Sequence, residues 1–266
     1  MAAFDNLYRH AMARIAAFAP PVAVADPETN AERLIERATA AHDRHAAVAL
    51  FPELSLTGYA IDDLHHQAAL LNAAEAGAEA LIEASRKILP VIVAGAPVRV
   101  GEQVFNCALV IHRGALLGVV PKSYLPNYRE FYEKRWFADA TGALTDEIGF
   151  AGQDAPFGAD VIFEAEDVAG LSLHVEICED LWSPLPPSVF GALAGARVLL
   201  NMSASNATVG KSRDRAALCE AQSRRLQAAY VFAAAGPGES TTDLAWDGQL
   251  TAYELGECVA ASERFL

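Results

Sequence analysis

Basic residues are scarce in this chain of 266 residues, which has 20 lysines and arginines against 34 aspartates and glutamates and a formal net charge of −14. Nucleic-acid binding depends on a basic surface that neutralises phosphates, so this balance argues against a nucleic-acid partner. The acidic excess fits either a solvated surface or an acidic docking face. We favour the solvated surface, because net charge bears first on solubility.

Cysteines and long apolar runs are also few. Only four cysteines occur, far apart and without a C-x-x-C pair: Cys107, Cys178, Cys219 and Cys258. This spacing argues against a disulfide framework and against a zinc site, so we expect no metal. The apolar runs end well before the roughly 20 residues that a membrane span needs. Residues 1–10 carry Asp5 and Arg9 instead of an apolar signal region. We therefore expect a cytoplasmic protein with no membrane contact.

Apolar, strand-like runs alternate with helical segments along most of the chain. The periodicity predicts helices at residues 30–46, 67–89, 188–195 and 212–229. It predicts strands at residues 12–18, 47–51, 91–100, 106–112, 116–120, 171–177, 197–202, 230–235, 250–255 and 258–261. This alternation indicates sheets covered by helices, and the predicted hairpins make the sheets mixed and not purely parallel. Residues 137–158 are rich in Gly, Asp and Ala, which predicts an irregular surface excursion.

We interpret residues 1–266 as a single domain. The sequence contains no internal repeat or low-complexity segment, and its length suits one large α/β domain. The last predicted strand pair is followed only by a few residues, with no closing helix. We therefore expect a fragment that lacks C-terminal strands and a further domain.

Three chemically useful residues each follow a predicted strand: Glu53, Lys122 and Cys178. Ligands and catalytic groups gather at the carboxyl ends of strands in α/β sheets. A cysteine, a carboxylate and a lysine suit amide hydrolysis, in which the thiol attacks the carbonyl, the carboxylate moves the proton and the lysine stabilises the developing charge. Cys178 is flanked by Glu176 and Glu179, which disfavour a thiolate, so we expect Lys122 to offset this acidic flank.

Each of the three also has a plain structural interpretation. Taken alone, Glu53 fits a cap or a surface carboxylate, Lys122 a solvated lysine, and Cys178 a small buried hydrophobe. Their occurrence together, in this order and context, favours the functional interpretation.

Longer strings carry a family resemblance. Phe51-Pro52-Glu53-Leu54 with Thr57-Gly58-Tyr59, Pro121-Lys122-Ser123-Tyr124-Leu125-Pro126 and Glu176-Ile177-Cys178-Glu179-Asp180 resemble the carbon–nitrogen hydrolase (nitrilase) superfamily. Within it, residues 122–137, 174–180 and 234–248 are similar to the amidase (glutaminase) domains of bacterial glutamine-dependent NAD⁺ synthetases. Together with residues 48–59, these strings extend over most of the chain. The resemblance implies a four-layer α-β-β-α sandwich of the nitrilase type.

The resemblance also implies catalytic roles. Glu53 would be the general base, Lys122 the lysine that stabilises the oxyanion, and Cys178 the nucleophile that forms a γ-glutamyl thioester. Glu133 matches a second glutamate that supports the site in the superfamily.

A further set of residues matches positions that hold the substrate. Tyr128 and Ser205 fall where the synthetases bind glutamine, although Tyr128 also fits a packing aromatic and Ser205 a turn residue at a strand end. Tyr59 would line the entrance, and Glu179 would receive the α-ammonium group. Lys211 stands where close relatives tend to carry an arginine for the carboxylate. Lysine offers a point charge in place of a two-pronged fork, so glutamine would bind more weakly or this assignment would be wrong.

The implied function is hydrolysis of L-glutamine to glutamate and ammonia, for ATP-dependent amidation of deamido-NAD⁺. The sequence has no Ser-Gly-Gly-x-Asp-Ser loop, so the synthetase domain is absent from this chain. The glutaminase step would need no cofactor, since ATP and Mg²⁺ belong to the synthetase, and a homo-oligomer is expected. Two alternatives stay open. One is a stand-alone amidase or nitrilase for another small amide, and the other is a catalytically silent regulatory domain.

Overall fold

A computed structural model describes residues 6–266, and two mixed β-sheets form its centre. The first sheet has the order β1-β2-β3-β4-β5, with strands Ile15–Ala17, Val48–Leu50, Val91–Val100, Gln103–His112 and Ala115–Pro121. Its first three strands are parallel, and β4 and β5 continue it as antiparallel hairpins.

The second sheet contains the last six strands of the chain, numbered β8 to β13, which lie in the order β13-β12-β11-β10-β9-β8. Its strands in chain order are Ile162–Glu164, Ser172–Ile177, Val198–Ser203, Ala229–Ala234, Leu250–Glu254 and Glu257–Ala261. Strands β6 and β7, described below, form a separate hairpin. Strands β9, β10 and β11 are parallel, and the flanking pairs are antiparallel. The expectation of mixed sheets is confirmed in both.

The two sheets pack face to face through alternate side chains of their strands. Val48 and Leu50 of β2 pack against the same core as Leu200 and Met202 of β10. Ala49, between the first two, points to the opposite face and joins a different core. This alternation is what a strand buried on both faces requires.

Helices cover the outer face of each sheet. Helices α1 (Pro27–Asp43) and α2 (Ala68–Ser85) pack on the first sheet, where Leu34 and Leu81 share a core with Ala49. Helices α3 (Pro187–Leu193) and α4 (Lys211–Leu226) lie against the second sheet, where Cys219 packs on Tyr230. The layers therefore run α-β-β-α, as the family resemblance implied.

The prediction of an irregular excursion at residues 137–158 was wrong for its second half. Strands β6 (Glu147–Phe150) and β7 (Gln153–Pro156) form a hairpin in this segment. Ile148 and Phe150 alternate with polar or small residues, and both are buried in the core beside α2. The Gly- and Asp-rich composition hid this short period-two pattern.

Boundaries also differ from the prediction in several elements. Helix α1 begins three residues earlier than predicted, because Asp26 caps it by accepting a 3.2 Å hydrogen bond from the Thr29 amide. Strand β1 is shorter than residues 12–18, α2 ends at Ser85 and not at residue 89, and β8 was not predicted. Among residues 6–266, no helix is long and apolar enough to span a membrane.

Candidate active site

Lys122 lies between two buried glutamates at the end of β5. Its Nζ is 2.6 Å from Glu53 Oε1 and 2.7 Å from Glu133 Oε1, and all three side chains are excluded from solvent. Burial alone would lower the pKa of Lys122, but the two carboxylates raise it well above its ordinary value. The lysine is therefore a protonated ammonium held in a fixed place.

Glu53 receives hydrogen bonds from three different parts of the fold. It lies in the turn after β2, and its Oε1 accepts from Lys122 Nζ and, at 2.6 Å, from Asn106 Nδ2 of β4. Its Oε2 accepts from the Ala204 amide, just after β10, also at 2.6 Å. Donors from both sheets thus fix the orientation of this carboxylate.

Glu133 is supported from behind by Tyr59. The Tyr59 hydroxyl donates a 2.7 Å hydrogen bond to Glu133 Oε1, and Tyr59 is only 3% exposed. Burial raises the pKa of Glu133, against the opposing effect of Lys122. Tyr59 therefore contacts Glu133 of the Glu53–Lys122–Glu133 cluster directly, whereas the family resemblance implied a position at the entrance.

Cys178 stands at the point where β9 ends and a short 3-10 turn, Cys178–Trp182, begins. Its φ of 50° lies in the left-handed region, which is uncommon for a residue with a Cβ and often marks a functional turn. Burial raises the pKa of the Cys178 thiol, Glu53 raises it further, and Lys122 lowers it.

The net shift of the Cys178 pKa is strongly upward, so the thiol is protonated in the resting site. Lys122 does lower the pKa of Cys178, as expected, but burial and the nearby glutamates raise this pKa by more. Glu53, Lys122 and Glu133 all influence this pKa electrostatically, so the four residues lie near one another. A role for Cys178 as a nucleophile would require a base to take the thiol proton.

Tyr128 and Glu179 form a pair beside the cysteine. The Tyr128 hydroxyl donates to Glu179 Oε1 and Oε2 at 2.9 and 3.0 Å, and Tyr128 is about half exposed. Burial raises the pKa of Glu179, with Tyr128 and Lys122 opposing that rise. Tyr128 also packs edge-on against Phe131, so both of its predicted interpretations have contacts to support them.

Lys211 is a positively charged residue near Cys178 and Glu179. It begins α4, its Nζ donates to Asn206 Oδ1, and it lies 5.3 Å from the Phe131 ring centroid and 5.6 Å from that of Trp182. Burial lowers the pKa of Lys211, and the nearby Cys178 acts in the opposite direction. Lys211 therefore lies in the same region as Cys178.

Ser205 is buried, and its Oγ has no hydrogen-bond partner among the described residues. Its carbonyl accepts a 3.1 Å hydrogen bond from Arg215 Nη1, and Arg215 is held in turn by Asp247. An unpaired buried hydroxyl suits a ligand contact, although the carbonyl bond also fits the turn-residue interpretation. Within residues 6–266, no group of three or more His, Cys, Asp or Glu side chains is arranged to hold a metal ion.

The sequence of this chain matches a known family. The family model for carbon–nitrogen hydrolases matches residues 14–254. The chain belongs to the carbon–nitrogen hydrolase family.

Relatives of this carbon–nitrogen hydrolase domain are longer proteins. It is 51% identical over 98% of its length to the glutamine-dependent NAD(+) synthetases of Mycobacterium tuberculosis and Mycobacterium leprae. It spans only 38% of each of those relatives. Among solved structures, it is similar to a glutamine-dependent NAD(+) synthetase from Cytophaga hutchinsonii, with a TM-score of 0.84 and 26% identity over 95% of this chain and 40% of that one.

The fold of the domain is shared more widely. A mutant of the Nesterenkonia AN1 amidase from the nitrilase superfamily superposes with a TM-score of 0.76 over 94% of this chain and 86% of that one. At 20% identity, this similarity shows the fold alone. The predicted nitrilase-type sandwich is thereby confirmed.

Sequence reasoning missed Asn106, Ala204 and Asp180 in the hydrolase domain. Asn106 had a signal, since it is one polar residue inside the apolar strand VFNCALVI. Ala204 contributes only its backbone amide, which no side-chain pattern can reveal. Asp180 was part of a quoted motif but received no role, because two of its partners, the amides of Ser123 and Tyr124, come from a distant segment.

Proposed function

We propose that this chain hydrolyses L-glutamine to L-glutamate and ammonia, and that the ammonia is used in the ATP-dependent amidation of deamido-NAD⁺ by a synthetase domain outside this chain. The observation that carries the proposal is the position of Lys122 between Glu53 and Glu133 in a fully buried site. The similarity to glutamine-dependent NAD(+) synthetases supports the choice of substrate.

In the proposed first step, Cys178 Sγ attacks the carboxamide carbon of glutamine while Glu53 accepts the thiol proton. A raised thiol pKa suits this order, because the proton leaves during the attack and no thiolate stands in the resting site. Lys122 stabilises the oxyanion, and its positive charge is secured by the two carboxylates.

In the second step the C–N bond breaks. Glu53 passes its proton to the departing nitrogen, ammonia leaves, and a γ-glutamyl thioester remains on Cys178. Water then attacks this thioester, with Glu53 again as base, and glutamate departs as the thiol is restored. Glu133 stays in place as the second carboxylate beside Lys122, held by Tyr59.

Recognition of a free amino acid is supported by opposite charges near the cysteine. Glu179 is proposed to receive the α-ammonium group and Lys211 the α-carboxylate, with Tyr128 and Ser205 contributing hydroxyl groups. Glu179 raises the pKa of both the Cys178 thiol and Lys211, which supports placing the two charged side chains in one region with the cysteine. A simple aliphatic amide would use neither charge, which disfavours the alternative of a general amidase.

The proposed glutaminase step uses no metal or organic cofactor, and ATP and Mg²⁺ act at the synthetase domain. A cytoplasmic location and a homo-oligomeric assembly belong to the same proposal. Size measurement by light scattering would test the assembly directly.

The test is ammonia release from glutamine, measured with this chain alone and with a synthetase domain added in trans. Hydroxylamine in the assay should divert the thioester to γ-glutamyl hydroxamate. Cys178→Ala should abolish both products, whereas Cys107→Ala, Cys219→Ala and Cys258→Ser should retain them. Hydrolysis of propionamide without hydrolysis of glutamine would contradict the proposal and favour the general amidase. No turnover of either amide under both conditions would favour the silent regulatory domain.

A further inference from the structure

Asp180 joins the segment of Cys178 to the segment of Lys122. Its Oδ2 accepts a 2.8 Å hydrogen bond from the Ile177 amide, which directly precedes the cysteine. Its Oδ1 accepts from the amides of Ser123 and Tyr124, which directly follow the lysine, at 3.1 and 2.8 Å. One carboxylate thus binds backbone amides of residues that are adjacent in sequence to Cys178 and to Lys122.

The two segments come from different sheets. Cys178 follows β9 of the six-stranded sheet, and Lys122 follows β5 of the five-stranded sheet. The nucleophile and the oxyanion-stabilising lysine therefore depend on contacts between the sheets for their relative position. Asp180 makes two such contacts, with the Ser123 and Tyr124 amides, while its third hydrogen bond, from the Ile177 amide, lies within its own segment. It is 1% exposed, so water cannot readily replace these bonds.

Glu176 provides a comparison on the same strand. It lies two residues before Cys178, as Asp180 lies two after it, and it is equally buried. Its Oε2 accepts a 2.8 Å hydrogen bond from the Ser188 amide and its Oε1 accepts from the Tyr230 hydroxyl. Both partners belong to the layers around the second sheet, and neither reaches the lysine segment.

We propose that Asp180 is a positioning residue for the hydrolytic reaction, which holds the Lys122 segment in register with the Cys178 turn across the two sheets. The role rests on the proposed function of Cys178 and Lys122. Asp180 itself touches no reacting atom. Its effect is to set the geometry in which the thiol, the substrate carbonyl and the ammonium meet.

Asp180→Asn is the sharpest variant because it preserves shape and removes one acceptor. An ionised carboxylate accepts at both oxygens, whereas an amide presents one oxygen and one NH₂ group, which is only a donor. The NH₂ group would face a backbone N–H on one side or the other, so at least one of the two segments is released. A misplacement of about 1 Å can cost roughly 100-fold in rate.

The test uses a diazoketone analogue of glutamine on this chain, with the labelled cysteine identified by mass spectrometry. In the labelling step a bond forms between Cys178 Sγ and the diazo carbon, and dinitrogen leaves from that carbon. The thiol proton ends on the same carbon, which becomes a methylene group. We expect Asp180→Asn to lower the maximal labelling rate by roughly 10- to 100-fold, with half-saturation by the analogue changed less than about twofold. Glu176→Gln should change neither quantity by more than about twofold, since its partners do not involve the lysine segment.

A second measurement covers the case in which Asp180→Asn folds poorly. Hydrogen exchange of the Ile177, Ser123 and Tyr124 amides should accelerate in both Asp180→Asn and Asp180→Glu, while amides in the centre of β10 stay protected. Labelling of wild-type Cys178 together with unchanged labelling in Asp180→Asn would overturn the positioning role alone. Absence of labelling at wild-type Cys178 would instead count against the proposed function, and the exchange data would still report on the bridge. Unchanged hydrogen exchange at all three amides would also overturn the positioning role of Asp180.

Discussion

Tyr59 and Glu133 are joined by a 2.7 Å hydrogen bond from the phenol hydroxyl to Oε1, although they are 74 residues apart in the chain. The same Oε1 accepts from Lys122 Nζ, also at 2.7 Å. Tyr59 is held from its backbone as well, because its amide donates to both oxygens of Glu239. The tyrosine therefore connects the loop of Glu239 with the ionic centre of the site.

Tyr59→Phe should weaken this connection without removing a ring from the core. We expect the free energy of unfolding to fall by about 1–3 kcal/mol, because a buried hydrogen bond to a charged group is lost. Glutaminase kcat should fall more than KM changes, since Glu133 contacts Lys122 and not the proposed substrate. Urea titration and steady-state kinetics would measure both.

Tyr132→Phe is the matched control for this change. The Tyr132 hydroxyl donates a 2.7 Å hydrogen bond to Asp243 at the surface. Its loss should alter the free energy of unfolding by about 0.5 kcal/mol or less, as for other surface substitutions. Equal effects of the two variants would contradict a special role for the Tyr59 hydroxyl.

The centre of the site was predictable because its members follow apolar strands. Glu53 and Cys178 each come directly after a buried run, where a polar side chain cannot continue the core and instead lies at the sheet end. Lys122 follows β5 in the same way. Their exact partners were not predictable, since hydrogen bonds such as that from Asn106 to Glu53 depend on strand register across a sheet.

Errors arose where composition and periodicity disagreed. In the β6–β7 hairpin, Ile148 and Phe150 of β6 and Ala155 of β7 suffice to bury one face, and glycine-rich neighbours weakened the signal. Glu239 was missed for another reason. It lies in the loop after β11 and accepts hydrogen bonds from the backbone amide of Tyr59, a contact that no local sequence pattern predicts.

Glu239 predicts a pH dependence of stability. It is 6% exposed, and burial raises its pKa from an ordinary value of 4.5 to about 7. The folded state therefore binds this proton more tightly than the unfolded state, so stability falls as the pH rises from about 4.5 to 7. Glu239→Gln stays neutral and should escape this loss.

We expect the stability of Glu239→Gln relative to wild type to rise by roughly 1–3 kcal/mol between pH 5 and pH 8. Chemical denaturation at several pH values would measure it. Glu79→Gln, on the exposed face of α2, serves as the control and should change the free energy of unfolding by about 0.5 kcal/mol or less. A flat profile for Glu239→Gln would show that the carboxyl ionises without penalty.

Lys122→Met should reveal the cost of leaving two buried carboxylates without their cation. Removing one partner of a buried ionic group typically costs 3–5 kcal/mol, and we expect a loss of about that size at pH 8. Lys122 lowers the pKa of Glu133, so its removal raises that pKa further. The folded state then binds more protons than the unfolded one, and the destabilisation should shrink as the pH falls to 5.

Denaturant titrations at pH 5 and pH 8 would test this sign. Lys134→Met is a suitable control, because Lys134 adjoins Glu133 in sequence but is exposed. Its effect should stay near zero at both pH values. A Lys122→Met loss that grew towards low pH would contradict the assignment of charged carboxylates in the centre.

Lys211→Met tests the proposed recognition of the substrate carboxylate. Loss of a charge-assisted contact costs about 1.5–3 kcal/mol, so KM for glutamine should rise by roughly 10- to 150-fold. The value of kcat should change by less than about threefold, because Lys211 contacts Asn206 and two aromatic rings and not the Glu53–Lys122–Glu133 centre. Steady-state kinetics with the synthetase domain present would measure both constants.

The deciding comparison uses 4-aminobutyramide, a glutamine analogue that lacks the α-carboxylate. If Lys211 binds that group, Lys211→Met should raise KM for glutamine but leave the analogue nearly unaffected, since the contact is already missing. Lys87→Met, at an exposed position after α2, should affect neither substrate. Equal losses on glutamine and on the analogue would mean that Lys211 acts by holding the Phe131 and Trp182 rings in place, and that the carboxylate is bound elsewhere.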